Sequence, residues 1–261
     1  MQSLRLKDKV AIVTGGGTGI GRGICRALAS EGADIVVADI NEQTARQTCN
    51  DLSSFGGRYL PVRVDVTVES EVEHMVEETV RNFARVDILC ANAGVSTMNL
   101  VVDLTEREWD YNMDVNAKGV FLCCQMVGRQ MAEAGRGSII NISSIYGIAS
   151  PDQRVYEYLR KERARFFKPV AYSTSKSALL NLTRYLATYW ADKNVRVNTL
   201  TLGGVFNNQD EGFLKNYCAR VPLGRMASED EYNGAIIFLI SDASSYMTGA
   251  NLIIDGGWTA W

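Results

Sequence analysis

Residues 9–21 read Lys-Val-Ala-Ile-Val-Thr-Gly-Gly-Gly-Thr-Gly-Ile-Gly, and this stretch decides the fold. An apolar run ends at Thr14 in a glycine-rich turn, and an amphipathic pattern starts inside that turn at Gly19. Glycine has no Cβ, so such a turn can bring backbone N–H groups and a helix N-terminus against a pyrophosphate. Gly15, Thr18, Gly19, Ile20 and Gly21 are therefore the candidate cradle, although glycines serve ordinary turns as well. Asp39 supplies the context. It ends the next apolar run, 18 residues after Gly21, where a nucleotide-binding βαβ unit places an acid against the ribose hydroxyls. An acid there repels a 2′-phosphate and neither Gly17 nor Thr18 offers a cation, so NAD is expected over NADP. The competing reading of Asp39 is a solvated strand-end carboxylate or a helix cap. Asp65, beside Val66 at the end of a third run, would meet the adenine amino group or cap the following helix.

Further apolar runs extend the pattern. Lys9–Gly15, Asp34–Ile40, Tyr59–Val66, Asp87–Gly94, Gly137–Ser144, Val195–Leu202 and Asn251–Gly257 lack polar alternation, as parallel strands covered on both faces do. Helical patterns lie between them, among them Gly19–Glu31, Glu69–Phe83, Glu106–Ala134 and Ala171–Ala191. In the last, Leu179, Leu182, Leu186 and Tyr189 make one apolar face. Alternation of this kind predicts an α/β, doubly wound sheet of about seven parallel strands, with ligands at their carboxyl ends. Only 4 prolines occur and no linker is visible, so residues 1–261 are expected to form a single domain.

Composition narrows the function. The net charge of −3 gives no basic field for a phosphate backbone, so nucleic acid is not an expected partner. The start lacks an apolar signal region, and no apolar run approaches the ~20 residues that span a bilayer. A cytoplasmic protein without a membrane partner is expected. Six scattered cysteines without a CxxC pair read as buried thiols, and His74, the only histidine, rules out a histidine metal cluster or triad. Chemistry must rest on other side chains.

Tyr172 and Lys176 stand at i and i+4 in Tyr-Ser-Thr-Ser-Lys, on one face of a helix. A phenol of pKa ~10 becomes a usable acid/base when a nearby ammonium and a cationic nicotinamide favour the phenolate. Tyr189 and Lys193 share the spacing but fall at a helix exit, where a structural role fits better.

Together, Thr14-Gly-x-x-x-Gly-Ile-Gly21, Asn92-Ala-Gly94, Asn116 in Val-Asn-Ala-Lys-Gly, Ser144 in Asn-Ile-Ser-Ser-Ile-Tyr-Gly, Tyr172-x-x-x-Lys176 and the ending Asp255-Gly-Gly resemble the short-chain dehydrogenase/reductase family. The resemblance runs along essentially the whole chain. It implies a Rossmann-fold NAD(P)-dependent oxidoreductase, often a homotetramer. Tyr172 would take the substrate proton while hydride moves to nicotinamide, and Lys176 would bind the nicotinamide ribose and depress the Tyr172 pKa. Ser144 would orient the substrate oxygen, with Ser143 as the structural alternative. Asn116 would hold a relay water or be a satisfied core amide, and Asn92 and Gly94 would line the cofactor.

Two departures from the family pattern stand out. Leu202-Gly-Gly-Val-Phe-Asn207 replaces the usual Pro-Gly and following threonine, so Val205 and Asn207 become the expected nicotinamide contacts. Ser144 and Tyr172 are 28 residues apart, about twice the family's usual interval, because of the stretch 152–168. That stretch carries a net +3 while the rest of the chain carries −6. It reads either as a lid whose arginines attract an anionic substrate or as a packing element. The substrate-side segments resemble members acting on polyols and sugars. The rival readings are an NADPH-dependent 3-oxoacyl reductase, which Asp39 disfavours, and a noncatalytic dinucleotide-binding protein, which would need no proton relay.

Overall fold

The computed structural model describes residues 5–161 and 167–261. Seven strands, β1 (Val10–Thr14), β2 (Asp34–Asp39), β3 (Tyr59–Arg63), β4 (Ile88–Ala91), β5 (Gly137–Ser144), β6 (Val195–Leu202) and β7 (Asn251–Ile254), form one sheet. All neighbours pair in parallel, in the order β3-β2-β1-β4-β5-β6-β7. The chain thus builds outward from β1 to β3, returns to the centre at β4, and builds outward on the other side. Where the direction switches, β1 and β4 lie side by side and their carboxyl ends open a crevice.

Helices cover both faces. α1 (Gly19–Ser30), α2 (Glu42–Leu52) and α8 (Asn233–Ile240) pack Ile24, Leu28, Leu52, Ile236 and Leu239 on one side. On the other, α3 (Glu69–Phe83), α5 (Val120–Ala134) and α6 (Val170–Tyr189) contribute Val72, Met75, Val127, Met131, Leu179 and Leu186. Burial on two faces is why the strands read as unbroken apolar runs: every residue of β1 is buried. Two short helices, α4 (Glu106–Met113) and α7 (Glu211–Cys218), complete the set.

The helix expected over 106–134 is not uniform. Between α4 and α5, Asp114–Gly119 winds as a π-helix, a local widening that redirects the side chains it carries. Val66 explains part of the sequence there, because a Cβ on Gly119 would come within 2.7 Å of its Cγ2. β3 and β7 end three residues earlier than expected, since Val64–Val66 and Asp255–Gly257 turn into the crevice rim and a C-terminal loop.

The stretch 152–168 starts with a 3₁₀ segment, Gln153–Lys161. Val155 and Tyr156 are buried against Tyr146, Tyr217 and Trp258, as the packing reading expects. Arg154 is paired with Asp152, which also holds Arg220. The expectations for Arg163, Arg165 and Phe166, and for the side chains of Tyr158, Arg160 and Lys161, lie outside the described residues.

Candidate active site

A cleft of about 710 Å³ follows the carboxyl ends of the central strands, within the usual range for a ligand site. Its floor at one end is the turn from β1 into α1. A Cβ on Gly21 would lie 2.0 Å from the Gly15 carbonyl oxygen, so glycine alone lets the first turn of α1 approach the strand end. Asn92 locks the two sides of the switch together: its Nδ2 donates to the carbonyls of Thr14 and Gly15 at 3.0 and 3.2 Å. Gly15, Thr18, Gly19, Ile20, Gly21, Val66, Asn92 and Gly94 all line the cleft.

Asp39 stands at the same end. Its Oδ2 accepts from Gly17 N at 2.9 Å and its Oδ1 from Asn41 N at 3.0 Å, which fixes the carboxylate at the cleft wall. The nearby arginines Arg46 and Arg63 are paired with Glu42 and Glu71. Asp65 lines the cleft, and its Oδ1 accepts from the N–H and hydroxyl of Thr67, a local turn that precedes α3, whose own N-cap is Val68.

The other end gathers Ser144, Tyr172 and Lys176. Ser143 and Ser144 diverge because successive strand residues point to opposite faces. Ser143 donates its hydroxyl to the Lys176 carbonyl at 2.9 Å, fixing α6 to β5. Gly147 permits that approach, since a Cβ there would lie 2.8 Å from the same carbonyl. Ser144 instead faces Tyr172. Burial pushes the Tyr172 phenol up, and hydrogen bonding with Ser144 is what pulls it down. Lys176 is not among the groups that shift it in the free protein. Lys176 is buried, donates to the Ile142 carbonyl at 2.8 Å, and is itself pushed down to about 8 by burial and by Lys168.

Asn116 sits in the π-helical segment beside this pair. Its Oδ1 accepts from Val95 N at 2.8 Å, and its Nδ2 donates to Val95 O at 2.9 Å and Ser175 Oγ at 3.0 Å. Both amide protons are thus committed to protein partners, and only Oδ1 retains capacity to accept. The expected water relay therefore reduces to that one atom. A Cβ on Gly94 would lie 3.2 Å from Asn116 Oδ1 and 3.3 Å from Lys176 Nζ, so the three residues meet at one point.

Val205 and Asn207 do not line the cleft; Leu202 and Gly203 do. The loop is drawn away because Phe206 N donates to Ala227 O at 2.8 Å and Ala227 N to Gly204 O at 3.0 Å, a strand-like bridge centred on Val205. Gln209 then holds Asn207 N at 2.7 Å in an exposed turn. Sequence reasoning also missed Ser96, Tyr111 and Asp114, and it counted Lys168 only as one of a group of basic residues. The pair Tyr189 and Lys193 is exposed, with Lys193 bound to Asp192.

Among the described residues no His, Cys, Asp and Glu cluster could hold a metal, and no helix is long and apolar enough to cross a membrane. The donor set fits a nicotinamide dinucleotide: a glycine cradle at a helix N-terminus, a fixed acid at the end of β2, and a tyrosine–lysine pair at the far end.

Known proteins agree with this arrangement. Residues 15–259 match the family described as Enoyl-(Acyl carrier protein) reductase. The chain is 33% identical to NAD-dependent glycerol dehydrogenase of Listeria innocua, covering 99% of this chain and 96% of that one. It is 34% identical to 2-dehydro-3-deoxy-D-gluconate 5-dehydrogenase of Dickeya dadantii, covering 100% and 99%. The crystal structure of a short-chain type dehydrogenase/reductase from Mycobacterium marinum superposes with a TM-score of 0.88 at 31% identity, over 99% of this chain and 98% of that one. Match, fold and site agree: the chain belongs to the short-chain dehydrogenase/reductase family.

Proposed function

We propose that the protein is an NAD-dependent dehydrogenase that interconverts a secondary alcohol and a ketone, or a sugar hemiacetal and its lactone, on a polyol or sugar-type substrate. The observation that carries this reading is the placement of Ser144, Tyr172 and Lys176 at one end of a cleft whose other end holds Asp39. The names of the relatives support the substrate class, since one acts on glycerol and one on a deoxy sugar acid.

When bound, the nicotinamide supplies the hydride acceptor. The protein supplies the rest. Tyr172 removes the proton from the substrate hydroxyl as the carbinol C–H bond breaks, and in reduction it returns that proton. Ser144 donates a hydrogen bond to the substrate oxygen and aligns it with the phenol. Lys176, fixed by Ile142 O, is placed to bind the nicotinamide ribose. Asp39 accepts from the adenosine ribose hydroxyls with the lone pairs that Gly17 and Asn41 leave open, and its charge disfavours a 2′-phosphate. The same reading makes the chain one catalytic domain, cytoplasmic and assembled as a homotetramer.

The test is a panel of polyols, sugars, sugar acids and hydroxyacyl thioesters with NAD and with NADP, followed by absorbance of the reduced cofactor. Reduction of NAD by a polyol or sugar-type substrate is expected. Turnover confined to hydroxyacyl thioesters with NADP would overturn the reading.

A further inference from the structure

Among the described residues, Lys168 is the one basic residue of the 152–168 stretch that lines the cleft. Its position is built. Gln153 holds its backbone from both sides, with Nε2 donating to Lys168 O at 3.2 Å and Oε1 accepting from Lys168 N at 3.0 Å. Gln153 and Lys168 are thus joined just before α6, and the Lys168 side chain lines the cleft. The ammonium donates to Ser96 Oγ at 3.1 Å and stands 4.1 Å from the centroid of the Tyr172 ring.

Among the described residues its charge is not matched. Among them no carboxylate pairs with Lys168, and the nearest like charge is useful as a measure: Lys168 lowers the Lys176 pKa. Of the acids that line the cleft, Asp39 and Asp65 serve the far end, and Asp114 pairs with Lys118 at 2.8 Å. Two ammonium groups therefore share one end of the cleft with no described carboxylate between them. Burial pushes Lys168 down to about 8.

We propose that Lys168 is a specificity-determining residue whose ammonium, with the Ser96 hydroxyl, binds the carboxylate of a hydroxy acid while its alcohol is presented to Tyr172. The assignment rests on the dehydrogenase reading for the role of the alcohol, but not for the binding of the acid. A carboxylate fits better than a phosphate or sulfonate. One ammonium and one hydroxyl match a single negative charge, whereas recognition of those groups usually recruits arginine forks, and among the described residues no arginine lines the cleft. Arg154, the described arginine of the stretch, is committed to Asp152.

The test uses the complete protein saturated with NAD. D-glycerate, L-tartrate and D-gluconate are titrated calorimetrically against their neutral counterparts glycerol, threitol and D-glucitol, in wild type and in Lys168→Met, Lys168→Arg and Ser96→Ala. At least one acid should bind about tenfold or more tightly than its polyol, as a charge-assisted contact predicts. That preference should vanish in Lys168→Met and persist in part in Lys168→Arg. Ser96→Ala, a change at an exposed position, should reduce it and keeps the test decisive if Lys168→Met does not fold. No preference in wild type, a preference that survives Lys168→Met, or one that Ser96→Ala leaves intact where Lys168→Met cannot be made, overturns the proposal. So does tighter binding of glucose 6-phosphate than of every acid. A protein that oxidises polyols with no acid preference refutes the carboxylate site alone, whereas one that binds the acids and reduces no NAD refutes the dehydrogenase reading alone.

Discussion

Single side chains carry the chemistry, and their environments set its direction. Tyr172 is the proposed base for oxidation, and burial raises its pKa, so alcohol oxidation should accelerate as pH rises into the alkaline range. Ser144 is the group that opposes this rise. Ser144→Ala should therefore move the rising limb of the kcat–pH profile to higher pH and lower the plateau; a profile that falls to lower pH contradicts the assigned role. Asp39 is a second such residue. Asp39→Ala should weaken NAD by about tenfold and narrow the discrimination against NADP, as loss of a charge-assisted hydrogen bond costs roughly 1.5–3 kcal/mol. Equal use of NAD and NADP by the unaltered protein would remove the basis for this reading. The placement of Asp39, Ser144, Tyr172 and Lys176 along one cleft was legible in the sequence because each stands at a strand end or on a helix face with a fixed spacing. That of Lys168 was not, because its position depends on the Gln153 clamp, which joins residues 15 apart in the chain.

The elements show the same division. Boundaries of β5, β6 and α3 coincide with the apolar patterns because each pattern ends where burial ends. The π-helical break in the 106–134 helix left no sequence signal, since Asp114–Gly119 contains neither proline nor an unusual apolar period. Its consequence is that Asn116 reaches Val95 and Ser175 at once, tying the β4 loop to α6. Asn116→Ala would leave Val95 N–H and C=O without these partners at a site where Asn116 itself is fully buried. The expected result is a loss of about 1–3 kcal/mol in stability together with lower turnover, read by denaturant unfolding and kcat. An unchanged midpoint would mean that the β4 loop is held by other contacts. The loop after β6 misled the sequence reading for a different reason: its pairing with Ala227 is a contact between segments more than 20 residues apart, and Val205-Phe-Asn207 gives no hint of it.

At the scale of the whole molecule, apolar surface remains after the sheet is covered. Tyr185 and Tyr189 on α6 are 64% and 65% exposed, and Phe121 at the start of α5 is also exposed. Ile253 and Trp261, which line one surface depression, form a second exposed group at the C-terminal strand. The proposed homotetramer would bury both groups, so light scattering should give about four times the 28.8 kDa chain mass, and a monomer mass would contradict it. The thiols report on the fold as a unit. Cys25, Cys49, Cys90, Cys123 and Cys124 are buried, and burial raises Cys90 and Cys123 to about 12 from an ordinary 9.0. Such thiols keep their protons in the folded state while the unfolded chain loses them, so their contribution to stability is complete below about pH 9 and declines from there towards pH 12. Thermal midpoints should fall through that window, and native protein should label at Cys218 before any other thiol. The central claim, that this fold is an NAD-linked alcohol dehydrogenase working through one phenol, is tested most directly by the rate of NADH formation at saturating NAD in wild type and in Tyr172→Phe, with NAD binding measured in both. Activity on a polyol or sugar-type substrate that falls by about 10²–10⁴-fold in Tyr172→Phe, with NAD affinity retained, is the result expected; a rate within tenfold of wild type would contradict the account.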